Sequence, residues 1–178
     1  MPATLIAEEE FLAEVRNFRE SAFRFEAQEA EPLGYEREEF AQFLAGHPRE
    51  PMDIDWWRPW LDRVRQFTRE GKTISRVRVL ADPPTAYQQW LLWAVRAHDS
   101  AGEDIRYLAR GVAAQIPLPL ADDWWLLDNE RVILMRPAAD GEPGRKVLIT
   151  DPAQVARYRL WRDAALAYAS PADYFAAA

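Results

Sequence analysis

The chain has 178 residues, 49% of them hydrophobic and 29% charged, which is typical of one globular domain and excludes a disordered chain. Its 22 basic and 29 acidic side chains give a formal charge of −7, which argues against nucleic acid or an anionic membrane as a direct partner. The absence of cysteine excludes disulfides, thiol nucleophiles and thiolate metal sites. Neither a membrane span nor a signal peptide is apparent, so a cytoplasmic protein is expected.

The N-terminal part of the chain predicts one strand among several helices. The alternation of apolar and polar side chains in residues 21–28 has the period of two that is typical of a strand. Helices are predicted over residues 4–17, with Thr4 as a possible cap, over residues 36–45, and from the region 55–59 to Gly71.

The remainder alternates strands with helices. Strands are predicted over 73–80, 104–109, 124–127, 131–136 and 145–150, helices from 82–84 to 98 and from 151 onward, an extended loop over 115–120 and a turn over 140–144. This order predicts an α/β fold in which helices flank a mixed β-sheet. We expect a single domain with a helical part containing one strand (15–70), an α/β part (72–169) and a frayed tail (170–178).

Two arginines on one strand face are the first candidate for function. Arg76 and Arg78 point to the same side of a strand that should lie inside the sheet, where Val or Ile is usual. Buried guanidinium groups need partners, which Glu103, Asp104 and Arg106 could supply after the next helix. Two interpretations are open: an internal paired network, or a pocket for a carboxylate or phosphate.

The tryptophans are the second candidate. Adjacent residues of a strand point to opposite faces, so either Trp124 or Trp125 faces away from the main core. That ring is either covered by a helix or exposed in a cleft or a dimer interface. The candidate ligand-binding residues are Arg76, Arg78, Tyr87, Glu103, Asp104, Arg106, Trp124 and Asp128.

The hairpin around Asp128 connects the sequence to a known family. The segment from Trp124 to Ile133, Trp-Trp-Leu-Leu-Asp-Asn-Glu-Arg-Val-Ile, together with the order of elements from Thr73 onward, resembles the phospholipase D-like domain. The catalytic signature of that family is His-x-Lys, four residues and Asp, in which His is the nucleophile. With Asp128 in the Asp position, Asp123 replaces the Lys and Ala121 replaces the His. The resemblance therefore implies the fold without phosphodiester cleavage.

A resemblance over residues 15–170 is to an actinobacterial family, the domain of unknown function number 6879. The matching segments are residues 19–26, 76–79, 101–106, 124–128 and 157–165. This resemblance implies a cytoplasmic protein with a regulatory role beside helix-turn-helix regulators, and it offers no catalytic residue to carry over.

These observations favour a non-enzymatic regulatory or binding module whose cleft, lined by Arg, Trp and acidic residues, takes a small anionic ligand or a partner protein. No metal or cofactor is expected, and a homodimer is plausible. The alternative is a small enzyme for an anionic or aromatic metabolite. In that enzyme Glu103, Asp104 or Asp128 would be the acid–base group and Arg78 the anion clamp.

Overall fold

A computed structural model describes residues 3–29, 31–136 and 144–176, which form a seven-stranded mixed sheet between two layers of helices. The strands are β1 (Ala3–Ile6), β2 (Ser21–Glu26), β3 (Thr73–Leu80), β4 (Asp104–Ala109), β5 (Asp123–Leu127), β6 (Arg131–Arg136) and β7 (Arg145–Ile149). The helices are α1 (Glu8–Arg16), α2 (Arg37–Leu44), α3 (Arg58–Arg69), α4 (Ala86–Ala101), α5 (Arg110–Ala113), α6 (Pro152–Tyr168) and α7 (Ala172–Ala176). The predicted α/β class with a mixed sheet is confirmed.

The sheet combines a parallel part with an antiparallel part. Its strand order is β1-β7-β6-β5-β2-β3-β4. Strands β2, β3 and β4 run parallel, whereas β5 pairs with β2 in the antiparallel direction. Helix α3 crosses from β2 to β3, and α4 crosses from β3 to β4. Both helices cover the same face, so the carboxyl ends of β2 and β3 meet at one edge beside these helices.

A separate hydrophobic core lies on each face of the sheet. On the face covered by α1, α3 and α4, the buried residues include Phe18, Val64, Phe67, Trp90, Trp125 and Leu127. On the face covered by α6, they include Phe25, Trp124, Leu126, Val132, Tyr158 and Ala165. Because both faces are covered, β5 and β6 are apolar at nearly every position. In the described residues every helix falls short of the length and apolarity that crossing a membrane requires.

The first predicted helix is shorter than expected. Residues Ala3–Ile6 form β1, which pairs with β7 at the sheet edge, and α1 begins only at Glu8. Thr4 is therefore a strand residue and not a helix cap. Pairing with a strand more than 130 residues away leaves no local signal, which is why the helical period was misleading. Of the predicted turn 140–144, residues 140–143 lie outside the described part of the chain.

The described residues 170–176 of the C-terminal tail contact β4. The backbone amides of Tyr107 and Ser170 each donate to the carbonyl of the other at 2.8 Å. Helix α7 follows, and the Phe175 ring lies 6.2 Å from that of Tyr107. The tail therefore covers β4, an edge strand of the sheet.

Asp128 anchors the β5–β6 hairpin to the start of β2. Its carboxylate accepts hydrogen bonds from the backbone amides of Arg19, Glu20 and Ser21 at 2.9, 2.8 and 3.2 Å. Its φ of 54° lies in the left-handed region, which Asp and Asn adopt most readily among residues with a side chain. Burial opposes ionisation, but these amides and Arg131 outweigh it and hold the pKa of Asp128 below its usual value.

Substitution Asp128→Asn should lower the free energy of unfolding at pH 7 by about 1–2 kcal/mol, because the amides would lose a charged acceptor. The depressed pKa means that the charge stabilises the fold above the unfolded-state pKa of about 3.9 and that this stabilisation is lost as the pH falls below it. Urea unfolding should therefore show a difference from wild type that shrinks between pH 7 and about pH 3. A difference of equal size for the exposed Asp163→Asn would contradict this role.

Substitution Phe175→Ala should speed hydrogen exchange of the Tyr107 and Ser170 amides, because the ring that holds α7 against β4 would be lost. Exchange followed by NMR would measure this change. The matched control is Tyr174→Ala, because that side chain is 68% exposed and should leave both rates unchanged. Equal rates in wild type and Phe175→Ala would show that the tail frays after all.

Candidate functional site

Polar side chains replace the core at the carboxyl ends of the parallel strands. On β2 the face toward α3 and α4 changes along the chain from Ala22 to Arg24 and Glu26. On β3 the same face changes from Ile74 to Arg76 and Arg78. The strand register places Arg24 beside Arg76, and Glu26 beside Arg78. Four charged residues on one covered face of a sheet must neutralise one another or serve a ligand.

Arg76 is fully engaged in an internal network. Its Nε and Nη2 donate to Glu103 Oε1 at 3.0 and 2.7 Å, and its Nη1 donates to Glu26 Oε1 at 3.0 Å. Glu103 Oε2 also accepts from Trp60 Nε1 at 3.0 Å and lies 2.8 Å from His98 Nδ1. Burial opposes charge on both groups, but their pairing outweighs it, raising the pKa of Arg76 and lowering that of Glu103.

A glycine makes this network possible. Gly102 ends α4 with a φ of 103°, and a Cβ there would lie 2.5 Å from the Thr68 hydroxyl oxygen on α3. A side chain at this position would therefore be strained and would collide with α3. Because the chain turns sharply at Gly102, the next residue, Glu103, lies within hydrogen-bonding distance of Arg76.

Arg78 is fixed by one hydrogen bond, which leaves its terminal nitrogens as further donors. Its Nε donates to Glu26 Oε2 at 2.6 Å, while its two terminal Nη atoms have no hydrogen-bond partner among the described residues. The side chain is only 16% exposed. Arg24 Nη2 reaches Glu26 Oε1 at 3.0 Å as well, so Glu26 and Glu103 face three guanidinium groups. One positive charge of this group therefore stays uncompensated by a direct ion pair.

A cavity of about 860 Å³ includes Arg24, Glu26, Arg76 and Arg78 in its lining. Gln28, Glu31, Leu33, Tyr35 and Glu36, which follow β2, also belong to the lining. The aromatic lining residues are Phe11, Tyr35, Trp56, Trp57, Trp60, Tyr87, Tyr107 and Trp125. This volume and this mixture of aromatic rings with a few charged groups are typical of small-molecule sites.

Two carboxylates of the cavity lining contact backbone amides. Glu36 Oε2 accepts from the Leu33 amide and from the Tyr87 hydroxyl, both at 2.8 Å. Asp123 Oδ1 accepts from the amides of Ala27 and Gln28 at 2.8 and 3.0 Å. Burial is the main cause that raises the pKa of Asp123. In the described residues Asp123 Oδ2 has neither a hydrogen bond nor an ion pair, so one charged oxygen stays available.

Tyr107 adds a hydroxyl beside Arg78. It occupies the position opposite Arg78 on β4, and its buried hydroxyl has no hydrogen-bond partner in the described chain. Burial raises the pKa of Tyr107 to about 12, so the hydroxyl stays protonated at neutral pH. Tyr107, Arg78, Glu26 and Asp123 thus form a row across β4, β3, β2 and β5.

The structure brings together only part of the predicted site. Arg76, Arg78 and Tyr87 line the cavity, and Glu103 lies behind Arg76. Four predicted residues lie outside the cavity. Asp104 and Arg106 pair with each other at 3.2 Å, Trp124 belongs to the core on the opposite face, and Asp128 lies in the hairpin turn. The expectation that Asp104 and Arg106 would serve Arg76 and Arg78 is wrong, because alternation along β4 turns Arg106 away from that face.

Several lining residues were missed by sequence reasoning. Arg24 and Glu26 had a usable signal, since they occupy the polar side of the alternation in β2. Trp125 lines the cavity at 3% exposure, while Trp124 is 0% exposed beside Tyr158. Helices on both faces thus cover both rings, and neither is an exposed patch. Asp123 also lines the cavity, although its place at the lysine position of the catalytic signature indicates only the loss of a phosphate-binding ammonium group.

The positions of the phospholipase D signature hold residues of different chemistry. Neither Ala121 nor Asp123 supplies the imidazole or ammonium of the phospholipase D signature. His98, a cavity-lining residue, contacts Glu103 through Nδ1 and packs 5.3 Å from Trp57. Among the described residues, no group of three or more His, Asp and Glu could hold a metal ion.

Solved structures with the same fold come from bacteria and archaea. The chain is similar to NucT from Helicobacter pylori, with a TM-score of 0.54, 8% identity and coverage of 95% of this chain and 96% of that one. Nuc from Salmonella typhimurium, a phospholipase D family member, gives 0.51, 10% identity, and 94% and 97% coverage. These likenesses show the predicted phospholipase D-like fold.

TrmBL2, an archaeal chromatin protein whose structure shows a novel mode of DNA binding, is also similar. The TM-score is 0.55 at 10% identity, with 96% of this chain covered. The match spans 55% of TrmBL2, so the chain corresponds to about half of that protein. No curated protein matches by sequence. A family model described as a domain of unknown function, DUF6879, matches residues 9–177. The chain therefore belongs to the DUF6879 family and builds this domain on a phospholipase D-like fold.

Proposed function

We propose that this protein is a non-enzymatic binding module whose cavity takes a small anionic ligand. The observation that carries the proposal is Arg78, a largely buried arginine that lines the cavity and whose terminal nitrogens have no partner among the residues that the structure describes. Its Nε bond to Glu26 fixes the guanidinium plane, so both Nη atoms are oriented before a ligand arrives. A carboxylate or phosphate matches such a planar fork with two parallel hydrogen bonds.

The charge of the surroundings supports an anion at this position. Within the described part of the chain, Arg24, Arg76 and Arg78 have Glu26 and Glu103 as their direct ion-pair partners. A ligand anion would pair with Arg78, whose side chain is only 16% exposed, and a charge pair gains more at such a position than at an open surface. The Tyr107 hydroxyl beside Arg78 is a further donor for the same group.

The enzymatic alternative has less support from the positions of its candidate groups. Glu103 is held as a carboxylate by Arg76, Trp60 and His98, which removes the proton-transfer role of a general acid. Asp104 is outside the cavity, and Asp128 serves the hairpin. A protein-docking surface is also disfavoured, because Trp124 and Trp125, the aromatic residues that would form it, are buried.

The proposed role is regulatory, with the ligand signal passed to a helix-turn-helix partner. Support comes from the likeness to TrmBL2, an archaeal chromatin protein with a novel mode of DNA binding, about half of whose length this chain matches. The charge of −7 disfavours direct contact of this domain with DNA, so the nucleic acid contact is assigned to the partner.

Calorimetry with a named aromatic acid tests the anion site. Indole-3-propanoate should bind the wild-type protein more tightly than its neutral amide, and Arg78→Gln should weaken the acid about tenfold, which is the effect of losing one charge-assisted pair. The control is Arg106→Gln, an arginine on the other face of the sheet that should leave the affinity unchanged.

Equal binding of acid and amide, or equal loss in both variants, would contradict the proposal. Turnover of bis(p-nitrophenyl) phosphate by the purified protein, abolished in Arg78→Gln, would instead support the enzyme.

A further inference from the structure

We propose that the ligand is an aromatic amino acid or a close analogue, whose carboxylate binds Arg78 and whose ammonium group binds Asp123. This inference rests on the proposed function, because it names the class of anion that the cavity takes. It depends on a second charged group with a free atom in the cavity lining and on the aromatic composition of the walls.

The first step is the free oxygen of Asp123. Its Oδ1 is fully used by the amides of Ala27 and Gln28, whereas Oδ2 has no partner in the described residues. Arg24 is close enough to act on Asp123 electrostatically, but a partly buried carboxylate oxygen without a hydrogen-bond donor is unfavourable unless a ligand or solvent serves it. An ammonium group compensates a single carboxylate oxygen with a charge-assisted hydrogen bond.

The second step is the distance between the two binding groups. Asp123 lies on β5 and Arg78 on β3, with Glu26 on β2 between them. Two strand spacings separate the backbones by roughly 10 Å. An α-amino acid with a hydrogen bond at each of its two charged ends spans about 9 Å, given bond lengths near 2.9 Å. The Nε bond of Arg78 to Glu26 directs the arginine side chain toward β2, on the side of Asp123, so the span of an amino acid is of the same order as the gap between the two groups.

The third step is the role of Glu26. It lies in the middle of the row and repels a second carboxylate, but its charge is already shared among Arg24, Arg76 and Arg78. The strongly basic surroundings lower the pKa of Glu26 despite its burial. Glu26 therefore separates the anion site from the ammonium site, and it orients an amphoteric ligand in one direction across the strands.

The fourth step is the aromatic wall. Trp60 and Trp125 pack edge to face with ring centroids 6.5 Å apart, and Tyr35 packs against Trp56 at 4.9 Å. These rings belong to different elements and share the lining of one cavity. Flat apolar walls favour a planar ring, because ring–ring contacts add to the gain from burying apolar area. An aliphatic amino acid would fill this space less well.

Calorimetry with four probes tests the inference: tryptophan, indole-3-propanoate, tryptamine and leucine. We expect tryptophan to bind the wild-type protein about tenfold more tightly than indole-3-propanoate or tryptamine, since each of those lacks one charged contact. Leucine should bind more weakly than tryptophan. The variant Asp123→Asn keeps an oxygen for the two amides and removes the charge, so it should bring tryptophan down to the level of indole-3-propanoate.

The matched control is Asp122→Asn, which changes the neighbouring acid outside the cavity lining and should leave the preference intact. The wild-type ratio of tryptophan to indole-3-propanoate needs no variant, so the test stands even if Asp123→Asn fails to fold. Equal binding of these two probes, or a preference that survives Asp123→Asn, would overturn the inference. The proposed function would then stand if Arg78→Gln still weakens indole-3-propanoate, and it would fail as well if neither acid binds.

Discussion

The arrangement around the cavity depends on one buried carboxylate, Glu26. It accepts hydrogen bonds from Arg76 and Arg78 and forms an ion pair with Arg24, all on one covered face of the sheet. An unpaired arginine at any of these positions would carry a desolvation cost of several kcal/mol. Because Glu26 offers two oxygens, it holds three guanidinium groups at fixed distances. The orientation of Arg78, and with it the proposed anion site, follows from this carboxylate.

The position of the network follows from the parallel part of the sheet. Along both β2 and β3 the same face is apolar at the amino end and charged at the carboxyl end. The apolar ends pack on α3 and α4, while the charged ends line the cavity. Ligands of open α/β sheets generally bind at the carboxyl ends of the strands, where the helices and loops leave a crevice. The sheet and its helices thus form the cavity, and the charged residues in its lining set its electrostatic character.

The phospholipase D-like fold is shared with NucT and Nuc, but this chain lacks the catalytic signature of the phospholipase D family. Asp128 lies in the β5–β6 hairpin, where its carboxylate accepts hydrogen bonds from three backbone amides. Ala121 removes the nucleophile, and Asp123 places a negative charge where the catalytic signature has lysine. A fold hosts many functions, so the site must be read from its own groups. The proposed recognition of a small anion therefore rests on these groups and not on the fold.

The sequence by itself determined the local elements and the composition of the site. Alternation in β2 and β3, proline and aspartate at the start of α6, and the Asp128 turn are all local signals, and the structure has these elements where they were predicted. What only the tertiary structure decided are the pairings between distant segments: β1 with β7, Ser170 with Tyr107, and Glu26 with Arg76. Such contacts depend on which strands become neighbours, and strand order leaves no trace in a local period. For the same reason Asp104, Arg106 and Trp124 were predicted in the site but lie outside its lining, whereas Arg24, Asp123 and Trp125 lie within it.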